Sequence, residues 1–355
     1  MGLFDDASKT AGRARYAAAQ GLRSAWYGAQ YVTARRRSAG FNRPGEPAFK
    51  PESGKPDMAA LRAAYLRLYR RDRANIEAGL YPAPEDVRLR DLPRAMKSAR
   101  AFLSDVPEVD RRRLNRDGVE VRETADPDQF PPYYRQNFHY QSDGWLSDDS
   151  AAIYDTQVEA LFTGSGDAMR RAALAEIAKE LKGRDQRDAR LLDLACGTGR
   201  FLAQTMRAFP RLKAQGLDLS PNYAAKARRA VADWPQVDIA EGAGEAAPFE
   251  DDRFDVIVSI YLFHELPPKI RPLVIGEIAR MLKPGGLFVF ADSLQFGDNP
   301  KLDGILEYFP EGFHEPYYKG YLSYDFEPVM AEAGLAPETA ENAFLTKIST
   351  WRKAR

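Results

Sequence analysis

The 355-residue chain is poor in the residues that staple or metallate a fold. Its one cysteine, Cys196, excludes an intrachain disulfide and any multi-cysteine metal cluster. The three histidines, His139, His264 and His314, lie far apart and form no HExxH-like ligand pair, so no metal is expected. No apolar run approaches the roughly 18 residues needed to span a bilayer, and no N-terminal core of about 7–15 apolar residues marks a secretory signal. A soluble chain in a reducing compartment, by default the cytoplasm, is the expectation. Charge of one sign is missing as well. Fifty-one Lys and Arg balance 51 Asp and Glu, which argues against a dedicated nucleic-acid partner.

Apolar residues supply 44% of the chain, enough for a sizeable core. Three regions are expected. Residues 1–57 are rich in Ala, Arg and Gly and run into Arg43-Pro44-Gly45-Glu46-Pro47, a linker signal. Residues 58–150 begin with a helix expected over Met58–Gly79 and form a helical cap. Residues 151–355 alternate helix and strand. Leu174, Ile177, Ala178 and Leu181 keep helical spacing before Gly183. The short apolar run at 191–195 reads as a buried strand, segments 212–219, 237–240, 254–261 and 287–291 read as further strands, and Arg200–Phe209 as a helix between the first two. Ser220-Pro221 is an N-cap followed by proline at the first helical position. Val274, Ile278, Met281 and Leu282 share a helix face before the break Lys283-Pro284-Gly285-Gly286. Such alternation predicts an α/β fold with a doubly wound parallel sheet.

The strongest local signal is Leu191-Leu192-Asp193-Leu194-Ala195-Cys196-Gly197-Thr198-Gly199-Arg200, an apolar strand entering a Gly-x-Gly turn that opens a helix. Glycines let backbone approach a ligand, and the helix N-terminus offers free N–H groups. A dinucleotide fingerprint needs a third glycine where Leu202 stands. Asp193 would also face an anionic pyrophosphate, whereas it suits the cationic amino acid end of S-adenosylmethionine (SAM). Asp218, nineteen residues after Gly199, ends the second strand and can accept hydrogen bonds from a ribose.

DLACGTGR and GLDLS, together with Phe254–Ser259 and Leu282-Lys283-Pro284-Gly285-Gly286, resemble the class I SAM-dependent methyltransferases, particularly the branch acting on small molecules, quinones and lipids. The resemblance covers about residues 190–292. It implies a seven-stranded Rossmann-like sheet closed by an antiparallel strand, for which Ala343–Trp351 is the candidate. It also implies cofactor contacts at Asp193, Ala195, Gly197, Thr198, Gly199, Asp218 and Leu219. The chain departs from the pattern at Ala243, where relatives carry an acid that binds the adenine amino group. Glu241 or Glu245 is the expected substitute, with Glu245 taken as the contact. His264, after the fourth strand, is the candidate base because an unperturbed imidazole titrates near neutrality. The competing reading is a helix-start residue bonded to backbone.

Residues 293–323 form a long aromatic insertion beside the site, with His314 and Tyr317 as substrate contacts. His139, Tyr140 and Tyr154 precede or open the cofactor region and are read chiefly as cap packing. Cys196 reads as a small filler of the turn. No Asp/Asn-Pro-Pro-Tyr/Phe motif appears, which counts against amino methylation of DNA or glutamine. The N-terminal segment, with eight Lys/Arg against two Asp in residues 1–45, fits either a helix on an anionic membrane surface or a frayed tail. Asp5 and Asp6 count against a transit peptide, and Asp6 stands where myristoylation needs Ser or Thr. The expected activity is methyl transfer to an O, N or C nucleophile of a small or lipid-like acceptor. A non-catalytic SAM-binding or membrane-surface accessory protein is the alternative.

Overall fold

The computed structural model describes residues 3–38, 45–84 and 91–355. Met1-Gly2 and, of the linker signal, Arg43-Pro44 lie outside them. Six helices come first: α1 (Leu3–Arg37), α2 (Met58–Glu77), α3 (Leu92–Asn115), the one-turn α4 (Val121–Thr124), α5 (Asp148–Leu161) and α6 (Gly166–Glu180). Their starts are chemically marked. The Asp57 carboxylate accepts from the Ala59 and Ala60 amides ahead of α2, and Ser147 accepts from the Ser150 amide ahead of α5.

Alternating elements follow: β1 (Arg190–Leu194), α7 (Arg200–Ala208), β2 (Lys213–Asp218), α8 (Pro221–Ala230), β3 (Val237–Glu241), β4 (Phe254–Ile260), α9 (Arg271–Met281) and β5 (Leu282–Ser293). The expected Ser220 cap is present, its hydroxyl accepting from the Tyr223 amide at 3.2 Å. After β5 the aromatic insertion folds into α10 (Asp303–Gly312) and α11 (Tyr318–Leu322). Next come α12 (Glu327–Glu332), β6 (Leu335–Ala343) and β7 (Thr346–Lys353).

The strands form one sheet in the order β3-β2-β1-β4-β5-β7-β6. β1 to β5 are parallel, and β7 runs antiparallel between β5 and β6. Leu191, Leu192 and Leu194 of β1 and Val256–Val258 of β4 are all but inaccessible, because helices cover both faces of the central strands. The strand order reverses between β1 and β4, and in such sheets ligands bind at the carboxyl ends of the strands beside that switch.

Two expectations need correction. Lys283-Pro284-Gly285-Gly286 does not separate helix from strand. Pairing begins at Leu282 opposite Phe254 and resumes at Leu287 opposite Val256, so the Pro-Gly-Gly stretch is a bulge inside β5, with Gly285 at φ +76°. The edge strand β6, which the alternation pattern did not reveal, presents Glu338, Glu341 and Pro337 on a largely exposed surface, features that block pairing by a further strand.

The basic N-terminal helix is neither frayed nor detached over its described side chains. It packs on α3 and α5. Arg23 reaches Glu159 of α5 and Asp167 of α6, both at 2.8 Å. Tyr16 donates to Asp72 of α2 at 2.5 Å. Among the described residues no helix is long and apolar enough to cross a membrane.

Candidate cofactor cleft and acceptor chamber

A cleft of about 110 Å³ opens at the carboxyl ends of β1, β2 and β4. Its floor is the turn after β1. Ala195, Gly197 and Gly199 all adopt left-handed backbone, at φ +61°, +54° and +73°, a conformation costly for a residue with Cβ. The two glycines answer different needs. Gly197 lines the cleft, and nothing stands within 4 Å of where its Cβ would be. A Cβ on Gly199 would meet the Ala227 Cα of α8 at 2.8 Å. Gly199 therefore serves helix packing, and Thr198 is turned aside too, its hydroxyl donating to Asp155 at 2.8 Å. Neither lines the cleft, contrary to expectation. The turn has only five residues in which to connect strand, ligand surface and helix.

Ala195, Gly197, Asp218, Leu219 and Glu245 do line the cleft. Asp218 ends β2 and accepts from the Gly197 amide at 2.7 Å and the Ser220 amide at 2.9 Å. Burial nevertheless raises its carboxyl to about 6. Asp193, an expected cofactor contact, is 2% exposed and does not itself line the cleft, although its neighbour Leu194 does; its Oδ2 has no hydrogen-bond partner. Burial, reinforced by Asp218, pushes this carboxyl well above the usual range. A buried carboxylate without a donor is costly unless a cationic or hydrogen-bonding group completes it. The cationic amino end of SAM is such a group, so the donor set fits the cofactor.

Glu245 accepts from the Tyr133 hydroxyl at 2.6 Å and keeps Oε2 unpartnered, a free acceptor for an amino group. Glu241 points elsewhere, paired with Arg228 at 2.8 Å. Cys196 packs against Gly216, and burial raises its thiol well above the ordinary range, as befits a filler.

Aromatic side chains roof the cleft: Tyr133, Tyr134, Phe138, Trp145, Tyr154 and Tyr223. Phe138 stacks on Trp145 with centroids 5.8 Å apart, and the Trp145 carbonyl accepts from Ser220 Oγ at 2.6 Å, which ties the roof to the end of β2. Sequence reading treated this segment mainly as cap packing. Its aromatic run was visible, but only the tertiary fold reveals that it covers the cleft.

Beyond Tyr154, Tyr261 and Glu265, which belong to both, a second chamber of about 80 Å³ contains His264. His264 Nδ1 lies 2.5 Å from Asp292 Oδ1 at the end of β5, the neighbour of β4. Burial alone would lower the imidazole; Asp292 outweighs it and lifts His264 to about 9. A ring tuned near neutrality was expected, and the unforeseen Asp292 overturns that. The second Asp292 oxygen accepts from the Phe263 amide at 2.8 Å, so one carboxylate fixes both backbone and ring. Arg271, fully buried at the start of α9, donates to the carbonyls of Phe263, Tyr317 and Gly320, fastening this segment to the insertion.

His139, at φ +55°, projects into the same chamber with Nε2 3.0 Å from Glu315 and 3.9 Å from Glu265. Against burial, the two carboxylates raise His139 to about 10. The donor atoms of these three side chains lie within 4.8 Å of one another, close enough for a cation, a grouping that sequence separation concealed. His314 and Tyr317 do not line either space, contrary to expectation. His314 is held at 3.0 Å from Gln136 Oε1 and packs against Gly118 and Tyr140. Tyr317 joins the apolar cluster of Phe138, Trp145 and Tyr223. The insertion coils into short helices that turn these two side chains onto the cap and deliver Glu315, Tyr318 and Phe309 instead.

Comparison with known proteins agrees with this geometry. Residues 191–286 match the family model of a methyltransferase domain. The demethylmenaquinone methyltransferase of Chlorobaculum tepidum is 34% identical over 144 residues, 40% of this chain and 55% of that protein. The phthiotriol/phenolphthiotriol dimycocerosates methyltransferase of Mycobacterium leprae is 32% identical over 103 residues, 29% of this chain and 37% of that one. The malonyl-[acyl-carrier protein] O-methyltransferase of a Paenibacillus species is 30% identical over 186 residues, 47% of this chain and 64% of that one. The chain spans about half the length of the first relatives it matches.

Proposed function

We propose that the chain is a class I SAM-dependent methyltransferase that moves a methyl group from SAM to an O, N or C nucleophile of a quinone- or lipid-type acceptor, a reading supported by the methyltransferase-domain match over residues 191–286 and by the similar proteins. The observation that carries this reading is the orphaned buried carboxylate of Asp193 beside the cleft-lining Asp218, at the tips of adjacent parallel strands. In this assignment the cofactor domain is 151–355, capped by 58–150. Asp193 and Gly197 hold the methionine end, Asp218 the ribose, and Glu245 the adenine amino group, with Ala195 and Leu219 lining the walls.

Bound SAM supplies a methyl group already activated on a sulfonium. The protein's part is in-line positioning, exclusion of water by the aromatic roof, and removal of a proton where the acceptor needs it. His264 is the base. Asp292 is its positioning residue, holding the ring through Nδ1 and stabilising the imidazolium that forms. At neutral pH most His264 rings are protonated, so deprotonation is expected to limit a reaction that uses this base.

The test is release of S-adenosylhomocysteine on incubation with SAM and a prenylated naphthoquinol. Acceptor-dependent release, lost in Asp218→Ala, is expected. Tight SAM binding with no release across a panel of quinol, phenol and lipid hydroxyl acceptors would favour a non-catalytic SAM-binding accessory protein.

A further inference from the structure

Outside the two chambers lies a third and larger cavity, of about 340 Å³, enclosed by α1, α3, α5 and α10. Phe102, Val106 and Val109 of α3, Leu161 of α5, Ile305 of α10 and the adjoining Phe313 form its apolar wall. Several polar side chains at its rim are engaged with one another, while Asp105 accepts from Ser142 at 2.8 Å and keeps a buried Oδ2 unpartnered. Ser38 donates to Asp110 at 3.0 Å, Arg113 reaches the same carboxylate at 2.5 Å, and Gln141 bonds Gln157.

The cavity is not isolated. His139, Tyr154 and Phe309 line both it and the His264 chamber, which itself shares Tyr154, Tyr261 and Glu265 with the cofactor cleft. The neck between the apolar cavity and the His264 chamber is therefore mixed, with His139 and the Tyr154 hydroxyl set among Val158, Leu161, Ile305 and Phe309. Behind His139 stands Glu315, which lines neither space; its side chain is inaccessible and has neither oxygen in a hydrogen bond of normal geometry, although His139 stands 3.0 Å away. A buried acceptor pair of this kind calls for a donor from a ligand.

We propose that the outer cavity is a binding site for an aliphatic or prenyl chain, and that the acceptor is an amphiphile. Its hydroxyl-bearing head lies at the His139–Glu265–Glu315 cluster within reach of His264, and its tail lies between α1, α3, α5 and α10. This rests on the methyltransferase reading and narrows it, excluding a small water-soluble acceptor as the preferred substrate. Helix α1 then has a purpose: Tyr31 and Ala34 close the tail site, and the Arg37 guanidinium bonds the Leu103 carbonyl of α3 at 2.9 Å. Contact between cavity wall and chain is apolar and non-directional, so affinity should track chain length.

Titration of the full chain with straight-chain alcohols from 1-butanol to 1-dodecanol, followed by calorimetry in parallel with SAM binding, tests this. Wild type is expected to gain about fourfold in affinity per added methylene until the cavity is full. Val106→Trp and Val109→Trp are expected to weaken 1-dodecanol binding at least tenfold while binding SAM as wild type does. Phe102→Ala is expected to extend the gain to longer chains. Wild-type protein that binds SAM but does not distinguish butanol from dodecanol overturns the tail site, as do tryptophan variants with unchanged dodecanol affinity. Failure to bind SAM would instead overturn the methyltransferase reading, whatever the alcohols do.

Discussion

At the scale of single residues, His264 shows how one neighbour sets chemistry. With Asp292 at 2.5 Å, the imidazole is raised to about 9 and is mostly charged at neutral pH. A base must be neutral to accept a proton, so kcat/KM is expected to rise about tenfold per pH unit from 6 to 8 and level off near 9. Asp292→Asn removes the charge that stabilises the imidazolium. The inflection should then fall toward or below the ordinary histidine value, with a lower plateau, and His264→Ala should abolish the limb. An unchanged profile in Asp292→Asn would leave Asp292 with only a packing role. Gly199 makes the complementary point. Alanine there would hold a left-handed φ of +73° and press on Ala227 of α8, at an expected cost of about 2–5 kcal/mol. Chemical unfolding of Gly199→Ala would measure it.

Among elements, one buried carboxylate joins the first two helices to α6, in addition to the Arg23 pairs. Asp72 of α2 takes a bidentate pair from Arg171 of α6 at 2.8 and 2.6 Å, and hydroxyls from Tyr16 of α1 and Tyr81. Asp72 is 2% exposed, so removing it strands the guanidinium. Asp72→Ala is expected to lose about 3–5 kcal/mol and to loosen α1, seen as faster proteolysis within residues 10–38. Wild-type stability in that variant would mean that the Asp72 network adds nothing net to the packing and the Arg23 pairs that hold these helices.

Elements also differ in how far they could be read in advance. Strands β1 and β4 were plain, because both their faces are buried and the run itself is largely apolar. The start of β5 was hidden by Pro284, Gly285 and Gly286, whose bulge keeps pairing across a sequence that ordinarily ends a strand. The sheet edge β6 was hidden by its charges.

Over the whole molecule, legibility follows sequence distance. The candidate cofactor turn and its two acids lie within 26 residues, so spacing alone made Asp193, Gly197 and Asp218 candidates, and the fold puts Gly197 and Asp218 on the cleft lining. The acceptor side is assembled from parts the sequence keeps apart: His139 before the sheet, His264 and Asp292 on adjacent strand ends, Glu315 in the insertion. Only the packed fold brings them together, and the same packing turned His314 and Tyr317 onto the cap. Everything on the acceptor side presupposes that the cleft takes a positively charged sulfonium nucleoside.

Calorimetric titration of SAM into wild type, Asp193→Asn and Asp218→Asn, each at pH 5 and pH 8, addresses that directly. Binding a cation favours the ionised carboxylates, so wild-type affinity should climb between the two pH values as Asp218, at about 6, loses its proton. Each variant should bind at least tenfold more weakly at pH 8, and the remaining pH dependence should be smaller. Equal affinities for all three proteins, insensitive to pH, would contradict the account.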